Sequence, residues 1–263
     1  MTLSIHLATG VLLALFFLVP LMIKWELSKA LTLPTLLAIG LFSGLVTSLL
    51  TIPWWTSLFL KALLIGIMAA ALLMWRFFRD PERRCPLDGR IIISAADGHV
   101  IYVKKFEAGQ IPVSEKQGRT FTLKEFEGSD PICSAGYLVG TSMSYLDVHV
   151  NRAPIAGETT LVKHIHGHFI SLKHPEAVFQ NERVATIIES PDLSIGIIQI
   201  ASRLVRNIIP FVEPGEEVFL GQRIGKIRFG SQVDLIIPEN PKLRILVKPG
   251  DKLKAGITAI ASY

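Results

Sequence analysis

The sequence predicts a β-dominated globular domain that follows a hydrophobic, helical membrane anchor. Half of the 263 residues are hydrophobic, and residues 1–75 contain very few charges, whereas the remainder has an ordinary globular composition. From Leu87 onward, short apolar runs are separated by Gly, Pro and Asp-Gly turns, and no long run has helical periodicity. These observations divide the chain into an anchor at 1–75 and a globular domain at 76–263.

The anchor contains three apolar stretches, at Leu7–Ile23, Leu33–Ile52 and Leu58–Trp75. A membrane-spanning helix needs about 20 apolar residues, with about 17 as the lower limit, so we expect two or three spanning helices. A hairpin formed by residues 33–75 that enters only one leaflet is the alternative. A cleaved signal peptide is disfavoured because no basic segment precedes the first stretch.

Basic residues orient the anchor. They follow the first stretch at Lys24 and Lys29, and the third at Arg76, Arg79, Arg83 and Arg84. Because positively charged loops stay on the cytoplasmic side, three spans would place the globular domain on the cytoplasmic side of the cell (inner) membrane. The net charge of +5 suits contact with an anionic membrane surface. The sequence lacks a basic run with interleaved aromatic residues, which would be typical of nucleic-acid binding.

An internal repeat lies near the end of the chain. Residues 212–227, VEPGEEVFLGQRIGKI, parallel residues 247–262, VKPGDKLKAGITAIAS. Both copies contain a turn, then a short strand, then a corner formed by small residues. The hairpins of lipoyl-like and sugar-permease-like β folds have the same order. Two copies are too few for a solenoid. The repeat therefore predicts a pseudo-symmetric β sandwich or barrel.

The first candidate for chemistry is Ser231, within the segment Lys226–Ile237 that we interpret as one strand. Alternation along such a strand gives residue 231 the same face as Ile227, Phe229, Val233, Leu235 and Ile237. A hydroxyl on a buried apolar face costs free energy unless it has a partner, and Gly230 before it indicates a bend. A reactive serine and a small-residue packing gap both fit this pattern.

Two further candidates are His149 and Asp97. In a strand at Val148–Asn151, His149 shares a face with Asp147 and Asn151, so it could carry a proton near neutral pH. A structural histidine is the alternative. Asp97 precedes Gly98, and such a pair by itself indicates only a turn.

A histidine stripe supports a different interpretation. His164, His166 and His168 alternate, so on a strand they would share a face and could bind zinc or copper. Gly167 interrupts that strand, and no carboxylate or cysteine is adjacent, so a solvated stripe is the alternative. Elsewhere the two cysteines, Cys85 and Cys133, form neither a CxxC pair nor a disulfide framework.

A membrane-tethered, non-enzymatic β module similar to a lipoyl carrier is another alternative. The first Pro-Gly hairpin has no lysine at its tip, and in the second Lys248 and Lys252 only flank the turn, which argues against such a carrier.

Several motifs together resemble the short-type phosphatidylserine decarboxylase family. In chain order they are RFFRDPERR (76–84), SAADG (94–98), DVHVNRAPIAG (147–157), NER (181–183) and GQRIGKIRFGSQVDLIIP (221–238). The resemblance extends over nearly all of the chain from Arg76 to about Pro238. The FGS element and DVHVNR-P are its specific parts.

The resemblance implies a self-cleaving, pyruvoyl-dependent enzyme. The Ser231 hydroxyl would attack the Gly230 carbonyl, and β-elimination from the resulting ester would release a β chain, 1–230. The dehydroalanine left at the start of the α chain, 231–263, would take up water and lose ammonia to become a pyruvoyl group. The family's Asp–His–Ser arrangement matches Asp97, His149 and Ser231. The two chains would stay together without a covalent bond, and a homodimer facing the membrane is a plausible assembly.

The pyruvoyl group would condense with the amine of phosphatidylserine and accept the electrons released as carbon dioxide leaves, which yields phosphatidylethanolamine. His149 is the candidate proton carrier in this second reaction as well.

The sequence departs from related proteins at two places. Long-type members have an HxxH motif, whereas Arg152 stands at the second position here. Two possibilities follow: His149 serves both self-cleavage and decarboxylation, or a second histidine comes from elsewhere in the fold. The segment HIHGHF (164–169) stands where short members have a Pro-Gly-Lys-Phe type of segment.

Overall fold

A computed structural model describes residues 2–24, 29–85, 90–107, 135–144, 146–166, 182–201, 208–227 and 231–263. The chain forms two compact units, Met1–Phe78 and Arg79–Tyr263. They are called here the helical unit and the β unit.

The helical unit consists of three α-helices: α1 (Leu3–Lys24), α2 (Lys29–Ser48) and α3 (Trp54–Phe77). Leu3–Ile23 and Trp54–Phe77 are long and apolar enough to cross a membrane by length and composition, whereas the apolar helix Thr32–Ser48 is shorter. Large apolar side chains such as Phe16 and Phe59 are exposed on the surface of the unit. An exposed apolar surface of this kind indicates membrane association.

Glycines bring α1 and α2 into close contact. Gly10 of α1 faces Gly40 and Gly44 of α2, and a Cβ atom added at Gly44 would lie 2.5 Å from the carbonyl oxygen of His6. Glycines four residues apart allow two helix backbones to approach more closely than larger residues would. The pair α1–α2 therefore depends on the absence of side chains at these positions.

A polar cluster lies inside the helical unit. The Nζ atom of Lys61, which is completely buried, donates to Ser57 Oγ at 2.6 Å and lies 3.2 Å from His6 Nδ1. Thr47 Oγ1 lies 3.4 Å from the same imidazole nitrogen. Because a buried amine without hydrogen bonds is costly, these contacts explain how Lys61 is accommodated in an apolar helix.

The β unit contains fourteen strands in its described residues, and antiparallel pairing joins them into three sheets. They are β1 (Ile91–Ile93), β2 (Gly98–Phe106), β3 (Gly136–Met143), β4 (Val150–Arg152), β5 (Gly157–Ile165), β6 (Arg183–Glu189), β7 (Ser194–Ala201), β8 (Ile208–Pro210), β9 (Glu217–Val218), β10 (Arg223–Ile227), β11 (Ser231–Pro238), β12 (Arg244–Ile245), β13 (Lys252–Leu253) and β14 (Ala259–Ser262). A curled eight-stranded sheet has the order β13-β2-β3-β11-β7-β6-β5-β9. Two three-stranded sheets have the orders β1-β14-β12 and β4-β10-β8.

The predicted repeat occupies equivalent places in the β unit. Its two short strands, β9 and β13, form opposite edges of the eight-stranded sheet, and β10 and β14 are the middle strands of the two small sheets. Gly221 and Gly256 both have positive φ angles, 77° and 75°, which glycine adopts without strain. The prediction of a β-dominated unit is confirmed, whereas a lipoyl-like sandwich stays a prediction.

The interpretation of Lys226–Ile237 as one strand is wrong. Ile227 ends β10 in a small sheet, and Ser231 begins β11 in the large sheet. The chain therefore changes sheets between these residues, so alternation cannot be continued from Ile227 to Ser231. Residues 228–230, with Phe229 and Gly230, lie outside the described residues.

The central strand β11 is buried on both faces. On one face, Val233, Leu235 and Ile237 belong to the main apolar core. On the other, Asp234 is completely buried and accepts hydrogen bonds from the Tyr102 hydroxyl at 2.7 Å and the side-chain amide of Gln232 at 2.9 Å. Substitutions along β11 therefore disturb a core or a buried polar network.

We expect Gly44→Val to separate α1 from α2, because its side chain would overlap the His6 backbone. Overpacking of this kind typically costs about 1–3 kcal/mol or more, so the unfolding temperature of the protein in detergent should fall. Gly66→Val on α3 is the matched control, since a Cβ atom there meets nothing within 4 Å. Equal unfolding temperatures for the two variants would contradict the proposed contact.

Candidate active site

The backbone around His149 fixes which ring nitrogen can act as a base. His149 is 4% exposed, and its Nδ1 lies 2.9 Å from the carbonyl oxygen of Asp147. A carbonyl oxygen only accepts hydrogen bonds, so Nδ1 carries the proton and Nε2 is the accepting nitrogen of the neutral ring. Burial is the main cause that lowers the pKa of His149 below its ordinary value of 6.5. The ring is therefore suited to act as a base through Nε2.

A tight turn directs the chain from β3 to His149. The Asp147 N–H donates to the Ser144 carbonyl oxygen at 3.1 Å, and the Ser144 N–H donates to Asp147 Oδ2 at 2.7 Å. These reciprocal bonds hold the turn immediately after Met143, the last residue of β3. Asp147 therefore both shapes the turn and orients the imidazole through its carbonyl group.

Ser231 begins β11 close to this turn. Its backbone is in register with Met143 on β3 and with Ala201 on β7. Before residues 228–230, the Ile227 N–H donates to the carbonyl oxygen of His149 at 3.0 Å. The segment that contains the predicted cleavage bond therefore has two described ends. Ile227, before it, is bound to the backbone of His149, and Ser231, after it, pairs with Met143 just before the turn. Gly230 itself lies outside the described residues.

Asp97 is held by contacts from three other parts of the β unit. Arg83 binds its carboxylate through two bonds, from Nη1 to Oδ1 at 2.5 Å and from Nη2 to Oδ2 at 2.9 Å. The Ala255 N–H donates to Oδ1 at 2.8 Å, and the Val148 N–H donates to Oδ2 at 3.3 Å. Both side chains of the ion pair are less than one-tenth exposed. Paired, two-bond geometry of this kind is the strong form of an ion pair.

The structure brings Asp97 and His149 together through the backbone. Asp97 contacts the N–H of Val148, the residue before His149, whereas His149 Nδ1 contacts the Asp147 carbonyl oxygen. In this arrangement Asp97 positions the segment just before β4, which carries the imidazole. The sequence singled out both residues but did not reveal this connection.

Sequence reasoning missed two groups of residues at the site. Arg83 was counted among the charges that orient the anchor, although its guanidinium is buried against Asp97 and also donates to the Ala255 carbonyl oxygen at 2.8 Å. Asn151 and Gln199 are completely or almost completely buried, and the Gln199 amide donates to Asn151 Oδ1 at 2.7 Å. The available signal for Arg83 was its place in the RFFRDPERR motif.

The histidine stripe is only partly described. His164 Nε2 lies 2.8 Å from Glu182 Oε1, and its ring stacks on that of His166 with centroids 4.7 Å apart. His168 lies outside the described residues. Among the residues that the structure describes, no group of three or more His, Cys, Asp or Glu side chains could hold a metal ion.

Comparison with known proteins assigns the chain to a family. A sequence model described as phosphatidylserine decarboxylase matches residues 70–261. The chain belongs to the phosphatidylserine decarboxylase family. The resemblance predicted from its motifs is confirmed, and the chain is therefore an enzyme of a carboxy-lyase family, which leaves the non-enzymatic alternatives without support.

Individual relatives agree with this assignment over most of the chain. A protein of Methanothermobacter thermautotrophicus named "Putative archaetidylserine decarboxylase proenzyme" is 39% identical over 201 residues, which cover 76% of this chain and 85% of the relative. A phosphatidylserine decarboxylase proenzyme of Erythrobacter litoralis is 36% identical over 224 residues, which cover 83% of this chain and 81% of the relative. Both names describe a protein made as a precursor.

We expect Arg83→Gln to slow conversion of the decarboxylase precursor into two chains. Without the guanidinium, Asp97 loses two of its bonds and no longer holds Val148 in place, and displacements of about 1 Å at a site can cost about 10²-fold in rate. The measurement is the time course of the full-length band on a denaturing gel. Arg84→Gln is the matched control, because Arg84 is exposed. Equal rates for the two variants would show that the ion pair has no part in processing.

The pH dependence of processing should reflect the buried imidazole. If neutral His149 is the base, as the sequence predicts, the rate should be full above its pKa and fall as the pH drops through it. Because burial lowers that pKa, the half-maximal rate should lie below pH 6.5. His99→Gln, at an exposed histidine on β2, should leave the profile unchanged. A midpoint above pH 6.5 would argue against His149 as the base.

Proposed function

We propose that this chain is a membrane-associated decarboxylase precursor that cleaves itself between Gly230 and Ser231 and then decarboxylates the serine headgroup of a phospholipid. The observation that carries the proposal is the contact between the His149 carbonyl oxygen and the Ile227 N–H. It joins a buried, base-competent histidine to the start of the segment that contains the cleavage bond.

In the proposed self-cleavage, His149 Nε2 accepts the proton of the Ser231 hydroxyl. The serine oxygen then attacks the Gly230 carbonyl carbon, the C–N bond breaks, and the nitrogen of residue 231 takes the proton back from His149, so that the amide is exchanged for an ester. Asp97, held by Arg83, keeps the Val148–His149 backbone in position during this exchange. An adjacent base is the usual means of activating a serine nucleophile.

The residues present fit a pyruvoyl group made from Ser231. The backbone of Ser231 is in register with Met143, six residues before His149, and with the small residue Ala201 on β7. Such a group supplies an electron sink for the electrons that remain when carbon dioxide leaves. We assign the catalytic roles to Ser231, His149 and Asp97.

The topology supports a non-covalent pair of chains after cleavage. Residues 231–263 would contribute β11 to the middle of the large sheet, between β3 and β7, and would also contribute β13 and β14. All of these strands pair with strands of residues 1–230. Ladder hydrogen bonds and apolar burial would therefore hold the α chain in place without the peptide bond.

The substrate we favour is phosphatidylserine at an anionic membrane surface. The names of the two relatives share a serine headgroup and differ in the lipid to which it is attached, so the headgroup is the feature that the site would recognise. The predicted anchor, 1–75, would keep the catalytic domain, 76–263, on the cytoplasmic side of the membrane. Arg84, which is exposed, is a candidate for contact with anionic lipid, whereas Arg83 binds Asp97.

We also infer that the related hairpins of the repeat produce the pseudo-symmetric, lipoyl-like arrangement that the sequence predicts. Support comes from the matched positive φ angles of Gly215 and Gly250, 89° and 94°, in the two Pro-Gly turns. The two edge strands that follow these turns occupy opposite ends of the same sheet.

The intact mass of the purified protein tests the proposed function. The wild type should give two chains that separate before residue 231, the smaller with a blocked, pyruvoyl-bearing terminus, and should release carbon dioxide from phosphatidylserine vesicles. Ser231→Ala should give one full-length, inactive chain because alanine has no attacking oxygen. Ser142→Ala on the neighbouring strand β3 is the matched control and should still be cleaved. A single unmodified wild-type chain would refute the proposal.

A further inference from the structure

The His164–Glu182 pair lies in the same region of the large sheet as Ser231. Ala201, in register with Ser231, donates its N–H to the Glu182 carbonyl oxygen at 3.0 Å. Residues 231, 201 and 182 therefore form one row across β11, β7 and the start of β6. Because adjacent strands are about 4.8 Å apart, Glu182 lies roughly 10 Å from residue 231 along this row.

The pair also belongs to the face of the sheet that carries the main core. Ala201, Val184 and Val233 are core residues of this face. Glu182 is two residues before Val184, and His164 is in register with Val184 on β5. Residue 231 is two positions before Val233 on β11, the spacing of residues that share a face of a strand.

The residue between positions 231 and 182 in this row has a small, fully buried side chain. This residue is Ala201. Its side chain is a methyl group, so no long side chain of the row separates the two positions. A small molecule attached near residue 231 would therefore have the His164–Glu182 pair as its opposite wall.

The chemistry of the pair is that of a cation site. The Glu182 side chain is 9% exposed, so its charge is largely removed from water. His164 Nε2–H donates to Oε1, and in the described part of the chain no hydrogen bond is made to Oε2. A buried carboxylate is costly unless it is paired and hydrogen-bonded. Glu182 therefore has one oxygen held by protein and a second suited to a cationic donor.

We propose that Glu182, oriented by His164, receives the ammonium group of the serine headgroup and removes its proton. The proton moves from the headgroup nitrogen to Glu182 Oε2, and the electron pair of the broken N–H bond stays on nitrogen, which becomes a free amine. An amine must lose this proton before it can act as a nucleophile. This inference rests on the proposed function, and it gives a role to the HIHGHF and NER segments that self-cleavage does not use.

Binding to the uncleaved protein tests the proposal without the mature cofactor. Titration calorimetry would compare full-length Ser231→Ala with the double variant Ser231→Ala/Glu182→Gln, using glycerophosphoserine as the ligand. We expect the second substitution to weaken binding about tenfold or more, because hydrogen bonds to charged groups contribute about 1.5–3 kcal/mol. N-acetylated glycerophosphoserine, which has no ammonium group, should bind both proteins equally. Equal affinity of the two proteins for glycerophosphoserine, including no binding by either, would overturn the proposal.

Variants that retain Ser231 separate this inference from the proposed function. Glu182→Gln should still be converted into two chains but should decarboxylate about 10²-fold more slowly or worse, as is typical when a proton acceptor is lost. His164→Leu, which has no hydrogen-bond donor, keeps the carboxylate without its orienting bond and should show a smaller loss. His166→Leu, at the exposed neighbour on the same segment, should retain full activity.

Each outcome of that comparison has a distinct meaning. If Glu182→Gln is not cleaved although its unfolding temperature is unchanged, the pair serves processing and the inference is wrong. Equal losses for His164→Leu and His166→Leu would indicate an exposed stripe and would also overturn it. A wild-type protein that is not cleaved would refute the proposed function, whereas the binding comparison in the Ser231→Ala background would still decide the role of Glu182.

Discussion

The ion pair between Arg83 and Asp97 connects the parts of the β unit that must meet at the site. Its carboxylate accepts the N–H groups of Val148 and Ala255, and its guanidinium donates to the carbonyl oxygen of Ala255. One interaction thus joins the segment that follows α3, the turn before β2, the segment of His149 before β4 and the second copy of the repeat. Because both charges are buried, loss of either would leave the other unpaired at a cost of about 3–5 kcal/mol.

Further ion pairs hold the segment around Arg83 on the β unit. Arg223 contacts Asp80 at 2.5 Å and Glu82 at 2.6 Å, and Arg152 donates to the Pro81 carbonyl oxygen at 2.9 Å. Arg152 stands where long-type relatives have a second histidine, and here its guanidinium binds the segment after the anchor. A guanidinium stays protonated in proteins, so this position serves structure and cannot replace His149 as a base.

The position of β11 reconciles self-cleavage with a stable fold. A strand in the middle of a sheet has ladder partners on both sides, and β11 also buries side chains on both faces. The predicted break lies at the beginning of this strand, where the chain changes from one sheet to another. Cleavage there removes a connection between sheets but leaves the hydrogen bonds of both sheets in place.

The sequence alone determined the broad organisation of this protein. Low charge in residues 1–75 predicted the apolar helices, and turn-separated short runs predicted the β unit, because these patterns depend only on local composition and spacing. The motifs around Asp97, His149 and Ser231 also predicted the family before any contact was known. The repeat in residues 212–262 correctly indicated two equivalent segments.

Only the tertiary structure decided how these residues act on one another. Arg83 looked like a membrane-orienting charge, because sequence spacing does not show that it lies against a carboxylate fourteen residues away. The link from Asp97 to His149 runs through a backbone N–H, which has no signature in residue type. The segment 226–237, predicted as one strand, likewise belongs to two strands in different sheets. Alternation of apolar side chains predicts that a segment is extended, but it does not show where the hydrogen-bonding partners of the chain change. Such contacts join segments that are far apart in the sequence. For that reason only the strand register of the sheet showed that Glu182 and His164 lie near residue 231.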